Sequence, residues 1–96
     1  MGRENKLRAR QMLEINLLIN RVESKLDLLA RQNAPSNRIQ KGQLILEHLQ
    51  MALRCVNNSA YEELRSPVLA LQEYGFTFSQ DIMVYISDQD IGIHGF

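Results

Sequence analysis

The chain has 96 residues, 45% hydrophobic and 23% charged, and its eleven basic and eleven acidic side chains cancel to a formal net charge of zero. That is enough sequence for one domain, residues 1–96, with one modest core. No apolar run approaches the roughly 18 residues a membrane span needs, and a single cysteine, Cys55, excludes an internal disulfide framework.

The polar start, Met1 to Lys6, lacks the apolar stretch of a signal peptide. Lys6 stands where a myristoylation motif wants Ser or Thr. A cytoplasmic protein is therefore expected, and the acceptor pattern Asn57-Asn58-Ser59 carries no glycosylation reading. The zero net charge hides an asymmetry. Residues 1–58 hold ten of the eleven Lys and Arg against five acids, whereas residues 59–96 hold Arg65 against six acids. A basic front and an acidic back either bind each other or leave the front to steer an anionic partner.

In chain order, the first element is a helix over about 4–31. Its apolar residues Met12, Ile15, Ile19, Val22, Leu26 and Leu29 step three, four, three, four, three, the seam of a helix packed on another helix. Leu13, Leu17 and Leu28 lie off that seam and call for a second cover, from a third helix or another chain. A turn follows at 33–36, where Pro35 stops a helix and Ser36 is a good cap.

A second helix over about 37–56 repeats the seam with Ile39, Gly42, Leu46, Leu49, Leu53 and Val56. A glycine inside a helix costs about 1 kcal/mol against alanine, so Gly42 implies close approach of the facing helix. Asn57-Asn58 suits the left-handed conformation that ends a helix. Ser59-Ala-Tyr-Glu62 reads as a capping box for a third helix over about 60–74, kinked or split at Pro67 and ended by Gly75. From 76 to 96 the period shortens. Phe76-Thr-Phe78 alternates, Ile82 to Ile86 is β-branched and aromatic, and a small β-hairpin is the first expectation. Ser79 capping a short helix through Ile86 is the alternative. The fold class is thus mainly α: a long antiparallel helical hairpin, a shorter third helix and a C-terminal hairpin or irregular tail.

Chemistry is sparse. His48 has leucine at 44 and alanine at 52, so no second ligand stands one turn away; no metal and no cofactor are expected. Cys55 lies near a helix C-terminus, where the dipole disfavours a thiolate, and reads as a small buried residue. Asp88 and Asp90 resemble the start of a calcium loop, but Gly92 and the missing later glutamate break the pattern. Asp81, Asp88 and Asp90 read as turn carboxylates. No catalytic signature is present, and the chain reads as a non-enzyme.

Two functional expectations follow. The first is an oligomeric interaction or regulatory module, a homodimer before other stoichiometries, with a protein partner. Its interface residues are expected among Met12, Ile15, Leu17, Ile19, Val22, Leu26, Leu29, Ile45, Leu49 and Met51. The second is binding of nucleic acid or a phosphorylated small ligand such as a nucleotide by Arg8, Arg10, Lys25, Arg31, Arg38 and Lys41. The second lacks a recognition helix, a zinc finger or an aromatic stacking platform.

Overall fold

The computed structural model describes residues 2–86, with side chains from Asn5 onward. Helix α1 runs over Gly2–Arg31, α2 over Ser36–Asn57 and α3 over Tyr61–Glu73. A fourth helix, α4, covers residues 80–86. Helix α2 is central: α1 packs on it as an antiparallel hairpin, and α3 packs on another side. The core draws Ile15, Ile19 and Val22 from α1, Leu49, Ala52, Cys55 and Val56 from α2, Leu64, Val68 and Leu71 from α3, and Ile82 and Ile86 from α4.

The hairpin follows the expected seam. Gly42 of α2 faces the Leu26 side chain of α1. A Cβ at this position would stand 2.5 Å from Leu26 Cδ2, nearer than atoms in contact tolerate. The glycine therefore offsets its helix cost by admitting Leu26. The buried face of α2 differs in detail from the seam. Leu46 and Leu53 are only half-buried, whereas Ala52 and Cys55 are buried. Serving two neighbours, α1 and α3, widens the buried surface beyond a single stripe.

All three long helices end in one way. The residue after the cap takes the left-handed conformation: Asn33 at φ 54°, Ser59 at φ 56°, Gly75 at φ 99°. Ala34, Ala60 and Phe76 then donate backbone N–H groups to the carbonyls of Leu29, Cys55 and Leu71. Asn33, Ser59 and Gly75 donate to Ala30, Val56 and Gln72. This is the Schellman arrangement, and it satisfies carbonyls that would otherwise be orphaned.

Several local expectations are corrected. Ser59 belongs to the end of α2, so the capping box at 59–62 does not form; Ala60 occupies the cap and makes no side-chain bond. Asn58 has ordinary negative φ. Pro35, not Ser36, is the cap of α2, and its carbonyl accepts from the N–H groups of Arg38 and Ile39. Helix α3 is one element through Pro67 and is not split there. Pro67 is fully buried, and burial of its ring against the core compensates for the missing N–H.

The β-hairpin is corrected within the described residues, where no strand occurs. Residues 80–86 are helical, the arrangement capped by Ser79, whose carbonyl accepts from Ile82 and Met83. Ile82 and Ile86 are four apart and both are fully buried. One helical face buries both, and this packing overrides the strand propensity of the run. Residues 87–96, including Asp88, Asp90 and His94, lie outside the described residues.

Candidate interaction surface

Polar side chains fix α4 onto α1. Gln11 is fully buried, a rare position for a polar residue. Its Nε2 donates to the Asp81 carbonyl at 2.9 Å, and its Oε1 accepts from the Tyr61 hydroxyl at 3.1 Å. One amide thus joins α1, α3 and α4. Three residues on, the Glu14 carboxylate accepts from the Ser79 N–H at 2.7 Å and from the Ser79 hydroxyl. Glu14 acts as the partner of a capping box, supplied from another helix. Arg10 pairs with Asp81 at 3.1 Å, which raises the Arg10 pKa through hydrogen bonding first and charge second. Arg8 donates to the Ser59 hydroxyl at 2.6 Å. Tyr61 and Tyr85 stack with centroids 4.1 Å apart.

These contacts decide which residues remain on the surface. Of the ten expected interface residues, Ile15, Ile19, Val22, Leu29 and Leu49 are buried within the chain. Met12, Leu26 and Ile45 are half-buried against the same core. Leu17 and Met51 stay on the surface, 56% and 43% exposed. Beside Leu17 lies Leu13, 60% exposed, so α3 does not supply the cover that the extra leucines of α1 call for. Leu13, Leu17 and Leu18 line a shallow cavity of about 380 Å³, flanked by Arg10, Glu14 and Arg21. Met51 lines a separate cavity of about 510 Å³ with Arg54, Cys55 and Glu63.

The six expected anion-binding residues separate. Arg8 and Arg10 are engaged as above, and Arg31 pairs with Asp27 at 2.8 Å one turn away. Lys25 and Lys41 converge on one groove of about 300 Å³, joined there by Arg21; Arg38 does not line it. Leu26, Leu29 and Ile45 form its apolar floor, and Tyr74 and Phe76 line it from the turn after α3. Lys41 Nζ stands 5.8 Å from the Tyr74 ring centroid, and the His48 ring is tilted by 39° against that ring with centroids 6.4 Å apart.

Two sequence readings bear on chemistry. No group of three or more metal-ligating side chains occurs among the described residues. Cys55 is buried, and burial first, then Glu63, pushes its thiol pKa up, with Arg54 opposing. A thiol held protonated is a weak nucleophile. Among the described residues no helix is long and apolar enough to cross a membrane.

Sequence reading missed Gln11 and Glu14. The available signal was spacing: Gln11 stands four before Ile15, on the extension of the buried stripe Ile15, Ile19, Val22. No protein-family model, curated protein or solved structure matches the chain.

Proposed function

We propose that the chain is a non-enzymatic interaction protein that works as a homodimer, with the Leu13–Leu17 face of α1 buried against a second copy. The observation that carries this reading is the exposure of Leu13 and Leu17, one turn apart on a helix whose opposite face already fills the core. The flanking charges suit a two-fold pairing. A dimer places the same patch on both sides, so residue i meets j and j meets i. An antiparallel crossing centred between Leu17 and Leu18 sets Glu14 of one copy opposite Arg21 of the other, twice. Opposite charges then border an apolar centre, and water is removed from four large leucines.

The test is sedimentation at micromolar concentration. The wild-type chain is expected at twice its 11.1 kDa monomer mass. Leu17→Asp, at an exposed position, is expected to give a monomer with unchanged helical circular dichroism. A wild-type monomer at 100 µM would sink the proposal.

A further inference from the structure

The Lys25–Lys41 groove adjoins the dimer face, with Arg21 on the border of both, and presents a different chemistry. Arg21 and Lys25 are one turn apart on α1, and Lys41 faces them from α2. All three are exposed, and among the described residues none forms an ion pair. No carboxylate lines the groove. Elsewhere on the hairpin Arg10 is engaged by Asp81 and Arg31 by Asp27. In the groove, by contrast, two lysines and Arg21 border an aliphatic floor with no carboxylate among them.

We propose that this groove docks an acidic, amphipathic segment of a protein partner. Its large apolar side chains enter over Leu26, Leu29 and Ile45, and its carboxylates meet Lys25 and Lys41. The dimensions support this. The lining from Arg21 to Leu29 covers nine residues of α1, about 12 Å from first to last, or two turns of a partner helix. The groove, about 300 Å³ in volume, takes the partner's apolar side chains over its aliphatic floor. That is the helix-in-groove mode, with apolar anchors below and charge at the rim. A polyphosphate chain would leave the aliphatic floor uncovered. A nucleobase would meet a single exposed ring, Tyr74, with Lys41 5.8 Å from its centroid, rather than a row of stacking aromatics.

The probe is a fluorescein-labelled 14-residue synthetic peptide with leucines at positions 4, 7 and 11 and glutamate and alanine elsewhere. Anisotropy titration is expected to give saturable binding that weakens at least tenfold between 50 and 500 mM salt. The Lys25→Glu/Lys41→Glu double variant is expected to weaken it at least tenfold more. That variant should keep the helical circular dichroism and the sedimentation of the wild type, which separates this site from the dimer face. Amide NMR signals of Gly42 and Ile45 should move on titration, and those of Leu13 and Leu17 should not. No binding of the peptide, equal binding of its scrambled or lysine-for-glutamate versions, or undiminished binding by the double variant would each overturn the proposal. So would equal displacement by a 20-nucleotide single strand or by phosphatidylserine vesicles, which would assign the groove to nucleic acid or to lipid.

Discussion

The two halves of α1 are held in opposite ways. In the first half, polar residues make the ties: buried Gln11, half-buried Glu14 and exposed Arg10 each hold a group in or beside α4. In the second half, apolar residues do the holding, with Leu26 seated over Gly42, while Arg21 and Lys25 are left unpaired. The same helix is therefore specified by hydrogen bonds at one end and by shape at the other. Where its polar groups are used internally the surface beside them is apolar, the Leu13–Leu17 face. Where they are not, a charged groove remains.

The largest expected effect breaks the polar half. Gln11→Ala leaves the Tyr61 hydroxyl and the Asp81 carbonyl without their partner and opens a void. A loss of about 3 kcal/mol in urea unfolding is expected, since buried unsatisfied groups cost roughly 1–3 kcal/mol each and truncation adds a cavity term. Gln11→Glu, which keeps the volume, should also destabilise, because a carboxylate cannot donate to the Asp81 carbonyl. A loss under 0.5 kcal/mol for Gln11→Ala would show that the amide is not the clasp.

A smaller effect probes the apolar half. Gly42→Ala gains about 1 kcal/mol of helix propensity but forces Leu26 aside, at about 1–3 kcal/mol for overpacking. A net loss of about 1 kcal/mol is expected. On a Leu26→Ala background the same change has room, and should stabilise by up to about 1 kcal/mol. This reversal of sign is read from a double-mutant cycle. Equal effects on both backgrounds would mean that shape does not hold this half.

The smallest effect concerns Cys55, which belongs to the core shared by both halves. Its thiol pKa is raised by burial, so the folded state keeps a proton that the unfolded state releases. The contribution is fully present below the unfolded value, about 8.5, and is lost as pH rises through the folded value. Stability should therefore fall above pH 8.5, and Cys55→Ala should flatten that slope. Reaction with a disulfide reagent at pH 8 should be slower than for a free thiol, and a rate equal to the free thiol would count against this reading.

The contrast also explains what was legible in the sequence. The apolar half could be read, because a three–four repeat and a glycine on the seam are local patterns with one packing solution. Helix ends near 31 and 73 are readable from Asn33, Pro35 and Gly75, and the end near 57 from Asn57-Asn58, although Ser59 takes the left-handed conformation there. The polar half was not. Whether Gln11 is buried depends on where Tyr61 and Asp81 arrive, 50 and 70 residues later. The run Ile82 to Ile86 has strand propensity, and its helix depends on a carboxylate from α1 at its cap. Ser59 closes α2 although its sequence context suits the start of α3, since a serine fits both positions and only backbone dihedrals separate them. Of the candidate groove, Lys25 and Lys41 were visible as charges, but the part played by Arg21 and the 74–76 turn needed three dimensions.

The Gln11 clasp has a kinetic side. Helices α1, α2 and α3 each meet a sequence neighbour across connections of a few residues, so their docking requires little loop closure. Joining α4 to α1 instead links residues 65 to 71 apart. Such distant contacts form late when shorter loops can close first. Gln11→Ala is therefore expected to speed unfolding in stopped-flow denaturant jumps while leaving the refolding rate nearly unchanged. The buried amide, by this account, sets how long the native state lasts more than how quickly it is reached.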